Sequence, residues 1–169
     1  DQTGLVMNSG YDRITGRLNV DHKILKTLNL GANLYYSHSK TESADGTFTR
    51  FITMPPLAKV YNDDGSLRMD VTDAGETHYN PLWNMERAIN DLSSDNFLTN
   101  LYVDWEIIKG LTYRANGSMT YRNEFTGNYL YRDHTTGRDT NGKATIKTKL
   151  RTEYLFENIL NYNKEFKQK

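Results

Sequence analysis

Residues 97–121 read FLTNLYVDWEIIKGLTYRANGSMTY, and apolar and polar side chains alternate along both halves of this stretch. Alternation sustained over this length is the pattern of a β-strand with one apolar and one polar face. Lys109-Gly110 separates the halves, and glycine accepts the positive φ that a two-residue hairpin turn requires. The stretch therefore predicts an antiparallel hairpin with strands at 97–108 and 111–121.

Three further segments alternate in the same way. Residues 11–21 and 28–40 predict a second hairpin joined by the short segment 22–27, and residues 148–163 predict a fifth strand. These predicted strands are much longer than the roughly 5–6 residues common in globular proteins. They match the roughly 9–11 residues that a tilted membrane-crossing strand needs.

The connections alternate between short ones, at 22–27 and 109–110, and long ones, at 41–96 and 122–147. Barrels of the outer-membrane type have short turns on one side and long extracellular loops on the other, whereas a soluble meander has no reason to segregate its loops. We therefore predict an all-β fold, with antiparallel up-and-down strands of a transmembrane β-barrel, about five in number. The aromatic side chains near the ends of the apolar faces, where an interfacial girdle would lie, are Tyr36, Phe97, Trp105, Tyr113, Tyr121, Tyr154 and Tyr162.

The composition excludes several classes of function. Lys plus Arg number 21 and so do Asp plus Glu, which removes the electrostatic argument for nucleic-acid binding. The absence of cysteine excludes disulfide scaffolds, thiolate zinc sites and thiol nucleophiles. No apolar run is long enough for a transmembrane helix, whereas alternating strands are compatible with the low mean hydropathy of −0.75. Since the chain starts with Asp1 rather than Met, we expect residues 1–169 to be a fragment of a longer protein.

The longer predicted loop carries local structure of its own. Residues 61–66, YNDDGS, predict a turn. Residues 84–93 place Met85, Ala88, Ile89 and Leu92 on one face, which predicts a short amphipathic helix capped by Asn84.

Short motifs recur in a characteristic order along nearly the whole chain. They are DQTGLV (1–6), GYDR (10–13), GRLNVDHK (16–23), LNLGANL (28–34), PP (55–56), VYNDDG (60–65), NPL (80–82), IIKGLTYR (107–114) and FENILNY (156–162). Their order and spacing resemble the early barrel of SusC/RagA-type TonB-dependent transporters.

The resemblance implies an outer-membrane barrel of a Gram-negative bacterium, surrounded by the lipid bilayer and filled by an N-terminal plug. It implies that the TonB complex supplies energy through the missing N-terminal part. A SusD-like surface lipoprotein would capture an oligosaccharide or peptide cargo. The chain would then be part of a nutrient importer, not an enzyme, and would need no cofactor.

In such a barrel the polar face of each strand looks into the lumen, for plug docking or ligand passage. The predicted lumen-facing residues are Arg13, Arg17, Tyr102, Asp104, Glu106, Arg114, Arg151, Glu153 and Glu157. The alternative is a merely solvated strand face. In the longer loop, aromatic side chains are candidates for contact with ligand or lid, and these are Phe51, Tyr61, Tyr79 and Trp83. The alternative for them is packing of the loop on itself.

No residues in the sequence favour catalysis or metal binding. Asp104 and Glu106 lie two apart on one strand face, which is typical of charged lumen residues rather than of an acid–base pair. Four histidines are scattered without ligand spacing. The competing hypothesis for function is a soluble β-sandwich carbohydrate-binding module. In that fold a second sheet, rather than lipid, would cover apolar residues such as Leu101, Trp105 and Phe156.

Overall fold

The structure is a computed structural model that describes residues 2–3, 7–44, 48–72 and 78–164. Its described strands all belong to one antiparallel sheet. The strands neighbour one another in chain order, so the connections run up and down without crossovers. They are β1 (Gln2–Thr3), β2 (Gly10–Leu25), β3 (Leu28–Glu42), β4 (Ala88–Ile108), β5 (Leu111–Leu130) and β6 (Lys143–Tyr162). Two short helices, α1 (Phe48–Ile52) and α2 (Pro81–Glu86), lie between β3 and β4, and a 3-10 turn spans Arg138–Thr140. The predicted all-β fold class is confirmed.

All five predicted strands are present, but β2 to β6 extend beyond the predicted ends. The short connection is only Lys26-Thr27 rather than 22–27, and residues 88–96, 122–130 and 143–147 of the predicted loops belong to strands. Backbone pairing explains the difference, since a polar segment stays in the sheet when a neighbouring strand satisfies its N–H and C=O groups. At the extended end of β3, for example, Ser43 N donates to Asn90 O over 2.9 Å.

The helix predicted at residues 84–93 is wrong in position. The actual helix α2 begins at Pro81 and is capped by Asn80, whose side chain accepts a hydrogen bond from Leu82 N at 3.1 Å. Proline is favoured in the first turn, because its missing N–H would have no partner there. Residues from Ala88 onward lie in β4, where pairing across the sheet outweighs the helical spacing of their apolar side chains.

The tight turn at Lys109-Gly110 has the predicted geometry. Gly110 has a φ of +86°, which other residues adopt only with strain. The turn predicted at residues 61–66 is also present, with Gly65 N donating to Asn62 O over 3.0 Å and with Gly65 at a φ of +83°.

The packing of the backbone divides the chain into two compact units. We call residues 1–12, 40–93 and 125–148 the loop unit, and residues 13–39, 94–124 and 149–169 the sheet unit. Among the described residues, no helix has the length and apolar character needed to cross a membrane.

Large apolar side chains of the sheet unit are exposed. On β6, Tyr154 is 77% exposed, Phe156 71% and Leu160 64%. Within the described ranges, the buried hydrophobic side chains are Val71 and Met85, and both belong to the loop unit. No second sheet covers the apolar face in the part of the chain that the structure describes, as a β-sandwich would require.

Candidate functional site

A row of hydrogen-bonded side chains crosses four strands of the sheet unit. Asn33 on β3 donates to Asn100 on β4 at 3.5 Å, and Asn100 donates to Asn116 on β5 at 2.6 Å. Asn116 donates to Glu157 on β6 at 2.9 Å. Because residues an even number of positions apart on a strand share a face, this row defines the polar face of the sheet.

Tyr102 is the centre of a second group on the same face. Its ring lies against Gly31 on β3, and its hydroxyl donates to Asp21 on β2. The Arg114 guanidinium lies 5.0 Å from the centroid of the Tyr102 ring, and its Nη2 donates to Asp104 over 2.6 Å. These contacts link β2, β3, β4 and β5 with groups that remain open to water.

The remaining predicted lumen residues also lie on the polar face. Arg13 donates to the hydroxyl of Tyr35 at 2.5 Å, and Arg17 lies 5.5 Å above the ring of Tyr35. Arg151 donates to Glu153 at 2.9 Å. Glu106 shares the face by its spacing from Asp104. All nine residues that the sequence predicts to face the lumen therefore lie on the polar face of the sheet. That this face borders a lumen stays a prediction.

Asn80 organises the loop unit from a fully buried position. Its side-chain nitrogen donates to Val60 O at 2.9 Å and to Arg68 O at 2.8 Å, while its oxygen caps α2. Its own N–H donates to Met69 O at 2.8 Å. One amide thereby connects the start of α2 to the two segments that flank the 61–66 turn.

Helix α2 joins the β3–β4 connection to the β5–β6 connection within the loop unit. The indole of Trp83 donates to Asp133 O at 2.9 Å, and Asn84 accepts from Thr135 N at 3.3 Å. Arg87 stacks on Trp83 at 3.5 Å from the ring centroid and donates to the Asp133 carboxylate at 2.7 Å. The two long connections therefore form one packed structure.

A cleft of about 860 Å³ opens in the loop unit between the 61–70 segment and α2. Two of the predicted loop aromatics, Tyr61 and Trp83, line it together with Arg68, Glu86 and Arg87. Aromatic faces beside guanidinium and carboxylate groups suit a ligand with both polar and flat apolar surfaces, such as a sugar or a peptide.

The other two loop aromatics do not line this cleft. Phe51 lies in α1, and Tyr79 is held by Arg138, which donates to its hydroxyl at 3.0 Å. Sequence analysis missed Arg68, Glu86 and Arg87, because no local pattern in the sequence reveals which charged residues the folded loop brings together. It also missed Asn80 as the cap of α2, although the Asn-Pro pair is a recognisable start signal.

Two carboxylates in the loop unit are stabilised in the charged form. The backbone N–H of Thr72 donates to Asp70 at 3.0 Å and, with that of His78, lowers the pKa of Asp70. The hydroxyl of Ser66 donates to Asp64 at 2.6 Å and lowers the pKa of Asp64. The contacts of Asp64 stabilise the 61–66 turn near neutral pH, and those of Asp70 connect it to Thr72 and His78.

Comparisons with known proteins agree with this geometry, although no family model matches the chain. TonB-dependent receptor P3 of Formosa agariphila is 27% identical over 98% of this chain and 17% of the relative. Receptor P39 of the same organism is 28% identical over 100% of this chain and 16% of the relative, and receptor P26 is 26% identical over 98% and 17%. The chain therefore spans about one sixth of the length of the curated relatives it matches.

A solved structure shares the fold. The RagAB peptide importer in its closed-closed state superposes with a TM-score of 0.76 at 22% sequence identity, covering 95% of this chain and 19% of that chain. The chain is therefore similar to named TonB-dependent receptors along nearly its full length and shares its fold with the RagAB importer, which agrees with the resemblance to SusC/RagA-type TonB-dependent transporters.

Proposed function

We propose that this chain forms part of the barrel wall and the extracellular loops of an outer-membrane nutrient importer in a Gram-negative bacterium. The observation that carries the proposal is the two-sided sheet. Its polar face is bonded from β2 to β6, whereas apolar side chains on the other face, such as Phe156, are open. A wall between lipid and a water-filled lumen needs this division.

In this proposal the importer takes up an oligosaccharide or a peptide with the help of a SusD-like surface lipoprotein and the TonB complex. The relatives named TonB-dependent receptor and the fold shared with the RagAB importer support it. They are receptors and importers rather than enzymes, which favours transport over catalysis. The soluble carbohydrate-binding module finds less support, because the described sheet has no partner sheet.

Cell fractionation tests the location. An antibody against the 41–96 region should detect an outer-membrane band far heavier than 19.5 kDa that migrates differently in boiled and unboiled samples. Heat-dependent migration is expected because an intact barrel resists detergent unfolding until it is boiled. A soluble band near 19.5 kDa would instead favour the binding module.

The loop cleft is the part of this importer that we expect to touch cargo or lid. Tyr61 is 56% exposed at the cleft, while the indole N–H of Trp83 is already bonded to the Asp133 carbonyl. Tyr61 therefore offers a ring face to an incoming molecule, and Trp83 helps to hold the cleft open. In cells carrying the full-length protein, Tyr61→Ala should reduce uptake of the cargo, whereas Phe51→Ala, outside the cleft, is the matched control. Equal effects of both substitutions would contradict a role for the cleft.

A further inference from the structure

Charge is unevenly distributed along the polar face of the sheet unit. On one side of the Asn33–Asn100–Asn116 row, the face carries five cationic residues, which we call the basic zone. They are Arg13, Arg17, Arg122, Lys149 and Arg151, accompanied by the acids Glu124 and Glu153. Acids predominate at the level of the row and on its other side. They are Asp21, Asp104, Glu106 and Glu157, and two cations, Lys23 and Arg114, lie in the same area.

The register brings the basic zone together although its residues are far apart in sequence. Arg122 follows Asn116 by six positions on β5, and Arg151 precedes Glu157 by six on β6, so each shares the face of its reference residue. Because β5 and β6 are antiparallel, Arg122 and Arg151 lie on the same side of the asparagine row. Six residues at roughly 3.3 Å each place both about 20 Å from the row. Arg122 Nε donates to Asn96 Oδ1 on β4 at 2.6 Å, which fixes β4 and β5 at this level.

The side chains that hold two of these guanidinium groups are neutral. Arg17 stacks on the ring of Tyr35, and Arg122 donates to the Asn96 amide. These contacts orient each group without cancelling its charge. On β6, the charges of Lys149 and Arg151 are partly balanced by Glu124 at 3.8 Å and by Glu153. With five cations and two acids, the basic zone as a whole keeps a surplus of positive charge.

All five cationic side chains of the basic zone are exposed. Adjacent strands lie about 4.8 Å apart, so the zone extends roughly 19 Å across the sheet from β2 to β6. An elongated ligand with several negative groups would match this spacing better than a single small ion would.

We propose that the basic zone binds the carboxylate or sulfate groups of an anionic cargo. Arginine suits this task because its planar guanidinium pairs with such groups through two hydrogen bonds and stays charged at any physiological pH. The acids near and beyond the asparagine row repel the same ligand, so binding is confined to one level of the wall. This inference rests on the proposed function, since it names the chemical class of cargo that the importer's wall favours.

Binding to the purified full-length transporter in detergent micelles tests the proposal. The probes are a hexaglutamate peptide with its hexaglutamine analogue, and a trigalacturonate with its methyl ester, so that the two pairs distinguish a peptide source from a glycan source of the carboxylates. At least one anionic probe should bind more tightly than its neutral analogue at low salt, and the difference should shrink as salt screens the charges. Equal affinity within both pairs at low salt would overturn the inference without any variant.

A charge-removing double variant locates the site. Arg17→Gln with Arg122→Gln should weaken binding of the anionic probe by about five- to tenfold, as expected for the loss of two exposed ion pairs. Lys59→Gln with Arg132→Gln is the matched control, because it removes the same charge from the loop unit. Equal losses in both double variants, or no loss in the first, would overturn the assignment to the basic zone. Unchanged heat-dependent migration of each variant verifies folding.

The outcome is separable from that of the proposed function. Absence of the protein from the outer membrane would refute the importer, whereas the binding comparison is made on purified protein. An importer that is present in the outer membrane but does not discriminate between charged and neutral probes would refute only the anionic cargo.

Discussion

The ring of Tyr102 on β4 occupies the space that a side chain at Gly31 on β3 would need. From there its hydroxyl reaches over β3 and donates to Asp21 on β2. One side chain thereby connects three strands of the sheet unit, and it does so because the middle strand has a glycine at the crossing point. The Arg114 guanidinium lies over the same ring, 5.0 Å from its centroid, and extends the connection to β5.

This relationship predicts that Gly31→Ala destabilises the protein. The new methyl group would displace the Tyr102 ring and break its bond to Asp21, a clash that we expect to cost about 1–3 kcal/mol. Gly16→Ala on β2 is the matched control, since no atom beyond its own chain neighbours lies within 4 Å of the position its methyl would take. Urea unfolding of the full-length protein, followed through heat-dependent migration, measures both variants. Equal stability of the two variants would show that the ring is not constrained by Gly31.

Because Asn80 is buried and bonded to three segments, we expect its removal to reduce the local stability of the loop unit strongly. Asn80→Ala removes the cap of α2 and leaves the carbonyl groups of Val60 and Arg68 without their amide donor. Unpaired buried polar groups cost about 1–3 kcal/mol each, so we expect a loss of about 2–4 kcal/mol in local stability.

Limited proteolysis within residues 59–72 measures this loss. The same substitution at the exposed turn residue Asn62, whose side-chain amide donates to the Ser66 hydroxyl at 2.9 Å, should change cleavage little. If the two variants are cleaved at the same rate, Asn80 does not organise the loop.

The ion pair between Arg87 and Asp133 predicts coupling between the two long connections. The pair lies at 2.7 Å, with Arg87 only 22% exposed and Asp133 52% exposed, so solvent screens it in part. A double-mutant cycle with Arg87→Ala and Asp133→Ala should show a coupling energy of about 0.5–1 kcal/mol. Asp139→Ala, at a position 81% exposed in the same connection, should show no coupling with Arg87→Ala. Additive effects of Arg87→Ala and Asp133→Ala would indicate that the pair contributes nothing.

The contacts of Asp70 lead us to expect that acid destabilises residues 67–72. Its pKa is lowered by the N–H groups of Thr72 and His78, so the folded state favours the carboxylate. The resulting stability is present above the ordinary aspartate pKa of about 3.9 and is lost as the pH falls through the lower folded value.

Hydrogen exchange of this segment, corrected for the intrinsic pH dependence of exchange, should accelerate below about pH 4. Asp70→Asn should exchange faster at neutral pH and lose this additional acid dependence. A wild-type exchange profile that stays flat to pH 3 after correction would contradict the role of Asp70.

The order of the strands and the division of the sheet into two faces could be predicted from the sequence. Side chains along a strand alternate between the two faces with a period of two. Once the face of one residue in a strand of the 97–121 hairpin is known, the faces of the remaining residues in that strand follow. The turn at Gly110 was equally local, because few residues other than glycine accept its φ. The motifs that resemble those of SusC/RagA-type transporters pointed to relatives that periodicity alone does not reveal.

The tertiary structure decided what depends on partners distant in sequence. Residues 88–93 have the spacing of a helix, but pairing with other strands draws them into β4, while Pro81 and the cap at Asn80 place α2 earlier in the chain. The cleft joins Tyr61 to Trp83, and the basic zone joins Arg17 to Arg122, across separations that no local pattern spans. Local sequence determines how each segment alternates and turns, whereas hydrogen bonding and packing between segments determine where a strand ends and which side chains meet.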